Sequence, residues 1–146
     1  MPKTAVEVAK SLADAYNRKN WRAFSDLLHP DVVFEQPDMM SNSRERFEGR
    51  DAVLNFMTEW AEIVPDDVAT FQSVRQVDNE TVVCEVTWSG THSGIPIELE
   101  GHAIPASYRR VTNYGSTTYV VRDSKILRIV DQWDAASYLK QFGFEE

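Results

Sequence analysis

Asp131 is the side chain in this sequence best placed to do chemistry. It lies in KILRIVDQWDAASYLKQFG, residues 125–143, where apolar residues crowd a strand-like run. With strand alternation, Leu127, Ile129, Asp131 and Trp133 share one face, and Ile126, Arg128, Val130 and Gln132 share the other. The face with Arg128 and Gln132 reads as the wet or interface side, which leaves Asp131 pointing into apolar surroundings. Desolvation disfavours the charged form of a carboxyl and raises its pKa. A carboxyl tuned this way can take and return a proton near neutral pH. The bland alternative is an aspartate at a strand end bonded to a loop amide or an arginine. Asp134, three residues on, reads as a helix N-cap whose carboxylate accepts backbone N–H groups.

Other chemistry has thinner support. His29, before Pro30, reads as a turn residue. His92 ends a strand in a Thr-His-Ser-Gly bend, and His102 lies in a hairpin. No histidines or cysteines cluster at metal-ligand spacing, so no metal is expected. Cys84 shares a strand face with Val82, Val86 and Trp88 and reads as a small core residue. No nucleophile elbow, P-loop or dinucleotide fingerprint occurs, so no cofactor is expected. Tyr16 lies on an amphipathic helix, and its hydroxyl can reach a substrate carbonyl or Asp131. Phe34, Phe56, Trp60 and Trp88 read as core or pocket wall.

These residues need elements to hold them. Thr4 and Glu7 form a capping-box pattern, and Val8, Leu12 and Tyr16 follow at helical spacing, which predicts a helix over 4–18. Asn20 caps a short second helix with Trp21, Phe24, Leu27 and Leu28, broken at His29-Pro30. Val32, Val33 and Phe34 make a short strand stopped by Pro37. Residues 38–49 read as a polar loop, with 38–48 mobile and able to cover a cavity mouth. Val53, Phe56, Met57, Trp60 and Ile63 mark a third helix ending near Pro65. Period-two patterns then predict strands over 67–77, 80–92, 97–113, 115–122 and 125–133, and a last helix covers 135–142. Helices first and strands after argue for an α+β fold in one domain, 1–146. A curved antiparallel sheet with helices on one face makes a cone with a natural pocket at its open end.

With 146 residues and 42% hydrophobic content, the chain can bury a real core. Its formal net charge of −8 disfavours nucleic acid and anionic membrane surfaces as partners. The lone cysteine fits a reducing cytosol, the first 20 residues lack a signal-peptide run, and no stretch is apolar enough for a membrane span.

The stretches AYNRKNWRAFSDLLHPDVVFEQP, TWSGTHSG, IPASYRRVT and KILRIVDQWDAASYLKQFG together resemble the SnoaL-like polyketide cyclases of the NTF2-like superfamily. The most specific part is the ending, where an acid, two residues, a second acid and a short helix reach L-x-Q-x-G. The resemblance implies an NTF2-like cone, a homodimer joined by outer sheet faces (Val130 and Ile126 among them), and a small hydrophobic substrate. It implies that Asp131 is the general acid/base and that Tyr16 and Phe56 line the cavity. The family's strand histidine falls on Thr117 and its aromatic neighbour on Thr118, so two site positions depart from the cyclase pattern. Steroid isomerases of the superfamily carry an aspartate where this chain has Gln36, which cannot act as a base. A limonene-type epoxide hydrolase needs an arginine and a second carboxylate beside Asp131; Glu98 and Glu100 lie at the right distance without an arginine. The expected cavity set is Asp131 with Tyr16, Phe34, Gln36, Phe56, Trp60, Trp88, Thr117, Thr118 and Trp133. The leading expectation is cofactor-free cyclisation or isomerisation of a polyketide- or terpenoid-like molecule. Epoxide opening and non-catalytic ligand binding are the alternatives.

Overall fold

In the computed structural model, residues 3–39, 41, 43–99 and 101–143 are described. Four helices are α1 (Ala5–Asn17), α2 (Trp21–Asp26), α3 (Arg50–Ile63) and α4 (Ala135–Gln141). Eight strands are β1 (Leu28–Pro37), β2 (Arg44–Glu48), β3 (Val68–Gln76), β4 (Thr81–Thr91), β5 (Ile97–Leu99), β6 (His102–Ile104), β7 (Arg110–Arg122) and β8 (Lys125–Trp133). A curved six-stranded sheet runs β2-β1-β8-β7-β4-β3, and β5-β6 form a separate hairpin. Neighbouring strands are antiparallel except β1 and β8, which run parallel. The helices cover one face, giving the α+β cone of the NTF2-like fold.

The helix starts follow their caps. Thr4 and Glu7 satisfy each other's backbone N–H groups at α1, Asn20 accepts from Ala23 N at α2, and Asp134 accepts from Ser137 N at α4. Val8, Ala9 and Leu12 bury the inner face of α1 against Phe34, Val53, Val82 and Cys84 in the main core. In the Leu-x-Gln-x-Gly ending, the Gln141 amide bonds both backbone groups of Thr112, accepting from its N–H and donating to its carbonyl, at 2.7 Å each. That clamp ties α4 to β7.

Three expectations about elements are corrected. Residues 44–48 are not loop but strand β2, paired with β1. Phe47 turns in and stacks on Phe34 at 5.8 Å, while Arg46 and Glu48 turn out to solvent. Met40 and Asn42 of the expected mobile segment lie outside the described residues. The expected break before residue 115 is absent, and β7 runs through Gly115. A Cβ there would meet the Gln132 carbonyl oxygen at 1.9 Å, so glycine marks a close strand approach here rather than a turn. The 97–113 run is instead the β5–β6 hairpin, a connection and the start of β7; Glu100 lies outside the described residues.

On β8 the alternation is interrupted, because register shifts at Val120/Val121 in the β7 pairing and at Leu28/Val33 in the β1 pairing. Ile126 is therefore fully buried rather than outward, and Leu127 is half-buried. From Ile129 onward the expected faces hold.

Candidate active site

The cone encloses a cavity of about 690 Å³ bordered by all four helices or their flanks, the sheet and the β5–β6 hairpin. Of the expected set, Asp131, Tyr16, Phe34, Gln36, Phe56, Trp60, Trp88, Thr117 and Trp133 all border it. Thr118 does not. It follows Thr117 on β7 and pairs with Val130, so strand alternation turns it to the outer face. Phe34, Phe47 and Phe56 pack as one aromatic wall, with Phe47 and Phe56 centroids 4.7 Å apart. Tyr138 closes another side, edge-on to Trp133 at 5.6 Å. The Gln36 amide donates to Glu45 Oε2 at 2.8 Å, which fixes it between β1 and β2.

Asp131 sits on the sheet side of this cavity. Register pairs it with Thr117, whose hydroxyl donates to Asp131 Oδ1 at 2.7 Å. Oδ2 has no hydrogen-bond partner among the described residues. The carboxyl is surrounded by protein yet keeps a half-buried opening to the cavity. Burial pushes its pKa up to about 7, against the lowering pull of the Thr117 bond and the Arg44 charge. Arg44 does not pair with the carboxylate. Its guanidinium donates to the Asp131 backbone carbonyl at 2.8 Å and to Gln132 Oε1 at 3.2 Å. The carboxyl is thus oriented by a neutral donor and left able to ionise or hold a proton.

Tyr16 borders the cavity, but its hydroxyl is not bonded to Asp131. Its hydroxyl donates to Asp67 Oδ2 at 2.5 Å. Asp67 is a second cavity acid that the sequence reading did not single out; it is 2% exposed. Burial lifts its pKa to about 6, opposed by the Tyr16 bond, the Lys19 charge and the nearby Trp60 indole. Oδ1 nevertheless lacks a geometric hydrogen bond among the described residues. Asp67 is delivered by the turn after α3. That turn lies flat on β4 because position 90 is glycine: a Cβ there would come within 2.9 Å of Asp67 Cα. Asp66 Oδ1 locks the same turn by accepting from Thr91 N at 2.6 Å.

The histidines take no part in the cavity wall. His92 is fully buried against Phe142, with ring centroids 5.1 Å apart, and burial pushes its pKa down. Gly94 beside it passes directly over the end of α3 and bonds Ile63 O at 3.1 Å. The Thr-His-Ser-Gly bend is therefore a docking loop. Cys84 is buried in the core, and its pKa is raised to about 11 by burial. No group of three or more His, Cys, Asp or Glu side chains among the described residues is arranged to hold a metal ion.

The model of the SnoaL-like domain matches residues 8–129. The chain belongs to the SnoaL-like domain family. The matched span stops just short of Asp131, so the position of that residue rests on the geometry above. Among curated proteins, the uncharacterized protein YesE of Bacillus subtilis strain 168 is 25% identical over 126 residues, covering 86% of this chain and 78% of that protein. Solved structures share the fold of this SnoaL-like domain. IdmH from Streptomyces antibioticus, a candidate polyketide cyclase, superposes with a TM-score of 0.76 at 23% identity, covering 97% of this chain and all 100% of that one. A candidate SnoaL-like polyketide cyclase from Jannaschia sp. CCS1 gives a TM-score of 0.76 at 18% identity, covering 97% and 93% of the two chains. An NTF2-like protein of unknown function from Burkholderia pseudomallei K96243 gives 0.77 at 17% identity, covering 97% and 99%.

Proposed function

We propose that this SnoaL-like domain is a cofactor-free enzyme that cyclises or isomerises a hydrophobic, polyketide- or terpenoid-like small molecule, with Asp131 as its general acid/base. The observation that carries this reading is the Asp131 carboxyl, with one oxygen held by Thr117 and the other without a hydrogen-bond partner among the described residues, bordering an aromatic cavity. The chemistry asked of it is modest. Ionised Asp131 takes a proton from carbon next to a substrate carbonyl. The resulting enolate attacks a second carbonyl within the molecule or is reprotonated at another carbon, and Asp131 returns the proton. The aromatic walls favour a compact substrate shape, and such positioning contributes to rate beside the proton transfer itself. A pKa near 7 suits a group that must give as well as take. The resemblance to polyketide cyclases supports the same reaction class.

Epoxide opening has less support. It calls for a cation beside the carboxyl to activate the epoxide oxygen, and no Arg, Lys or His among the described residues borders the cavity.

The test is catalysed hydrogen exchange. Hydrophobic cyclic ketones such as 2-tetralone are incubated with the protein in D₂O, and deuterium entry next to the carbonyl is followed by NMR. The wild type is expected to accelerate exchange, and Asp131→Asn is expected to slow it by about 10²–10⁴-fold. Equal rates in both proteins would overturn the role of Asp131. Tight binding with no exchange in the wild type would favour a non-catalytic binding module.

A further inference from the structure

The Tyr16–Asp67 pair has a chemical consequence for the ligand. A tyrosine hydroxyl has one proton and two lone pairs. Here the proton goes to Asp67 Oδ2 at 2.5 Å. While Asp67 is ionised, Tyr16 can offer other partners only its lone pairs, and the carboxylate makes those lone pairs richer in electron density.

The pair is a poor choice as a mere tether. The same two segments are already joined by Asn17, whose side chain donates to Ala69 O at 2.9 Å and accepts from Ala69 N at 2.7 Å. Lys19 adds a bond from its ammonium to the Asp67 backbone carbonyl. Asp67 meanwhile keeps one carboxylate oxygen buried without a geometric partner among the described residues, which costs stability. Both Tyr16 and Asp67 border the cavity, and the nearby cation, Lys19, is turned to the backbone carbonyls and the Tyr16 ring face, 4.4 Å from its centroid.

We propose that Tyr16, its own proton committed to Asp67, is the hydrogen-bond acceptor for a hydroxyl group of the ligand, so the cavity takes a hydrophobic molecule that carries an alcohol or phenol. This rests on the acid/base reading for the rest of the site. It assigns the helix side of the cavity to a ligand hydroxyl and the Asp131 side to the reacting carbon. It also makes the preference depend on pH. The groups acting on Asp67 are Tyr16 and Lys19 from the α1 end, Trp60 from α3 and its neighbour Asp66, while Tyr138 of α4 feels the Asp67 charge and Asp131 of β8 acts on Tyr16. Above about 6, Asp67 is ionised and Tyr16 accepts. Below it, Asp67 carries its own proton, Tyr16 is released to donate, and the preference for a hydroxyl fades.

The test is equilibrium binding of two probes of one shape, 2-naphthol and 2-methoxynaphthalene, to the full chain at about pH 8, where phenols keep their proton. Calorimetry or quenching of tryptophan fluorescence reads the affinity. In the wild type, 2-naphthol is expected to bind about tenfold tighter, the size of one net hydrogen bond to a polarised acceptor. Tyr16→Phe should bring the two within about twofold. Asp131→Asn should leave the gap in place, although Asp131 also offers an acceptor oxygen. In the Asp131→Asn background, where Asp131 no longer titrates, lowering the pH to about 5 should narrow the gap. Adding Asp67→Asn should make it independent of pH, a readout that survives if Tyr16→Phe fails to fold. Equal binding of the two probes by the wild type, binding of neither, or a gap that survives Tyr16→Phe but not Asp131→Asn would overturn the proposal. None of these readouts involves turnover, so failure of the exchange experiment leaves them interpretable.

Discussion

At the residue scale, the decisive fact about Asp131 is that its environment opposes its charge. Its pKa is raised from an ordinary carboxyl value to about 7, so the folded state binds a proton more tightly than the unfolded chain. The sign follows from linkage. Below about pH 4 the group is protonated in both states and contributes no penalty. As pH rises toward 7 the unfolded chain ionises freely while the folded one resists, so stability is lost across that window and stays lost above it. Asp131→Asn removes the titration and can still accept from Thr117. Its melting temperature should match the wild type near pH 4 and exceed it by a growing margin up to about pH 7, as thermal melts across pH would read. Thr117→Val removes the donor that favours the charged form. It should move the acid limb of the exchange-rate profile to higher pH. An unmoved limb would mean that Thr117 does not set the carboxyl's proton affinity. Asp131 was legible in the sequence because an acid stood in register with Ile129 and Trp133. Asp67 was not. The period-two pattern starts a strand at residue 67 and gives no sign of its burial, which comes from β4, where Gly90 lets the turn lie flat. One hint was available in principle: a buried tyrosine hydroxyl on α1 needs a partner.

At the element scale, the strands were legible wherever one face was buried, and the errors fall where that condition fails. Strand β2 alternates from half-buried to exposed along its length, and arginines and glutamates mask its one inward apolar residue, Phe47. The 97–113 run alternates well enough to resemble one strand, yet it spans a hairpin. The break expected before residue 115 fails for another reason: Gly115 lies within one continuous strand as a close backbone approach, which sequence alone does not reveal. The geometry does, and it gives a sharp expectation. A methyl group at position 115 would meet a backbone oxygen rather than a yielding side chain. Gly115→Ala must therefore part β7 from β8 at Trp133, two residues from the Thr117–Asp131 pair. Overpacking of this kind costs about 1–3 kcal/mol. The variant should melt well below wild type and lose part of its probe affinity, whereas Ser116→Ala should do neither. Denaturation and calorimetry on the two variants check this.

At the scale of the whole molecule, the outer face of the sheet holds the remaining information. The registers line up Glu35, Val130, Thr118 and Val83 in one row across β1, β8, β7 and β4, and Val33, Arg128, Val120 and Thr81 in the next. Valines and threonines thus form the middle of the face. At one side Glu35 is pinned by Arg46 at 2.8 Å and Arg128 at 2.7 Å, and at the other β3 places Arg75 opposite Val83. Arg128 and its ion-pair partner Glu35 are the charged members of these two rows, and a centre otherwise free of charge fits the depletion of charged residues at an interface core. We propose that two copies of the SnoaL-like domain pair through this face, which gives Thr118 an interface position where a cavity position was expected. A stable dimer buries about 1,200–2,000 Å² in total. The 16.7 kDa chain should run at twice its mass in light scattering at micromolar concentration. Val130→Arg sets two like charges near the symmetry axis, beside Arg128, and should yield a monomer that keeps its melting profile and probe affinity, because Val130 borders neither cavity nor core. A wild-type monomer, or a Val130→Arg dimer, would place the contact elsewhere. If the monomer binds its probes unchanged, the cavity is complete within one chain.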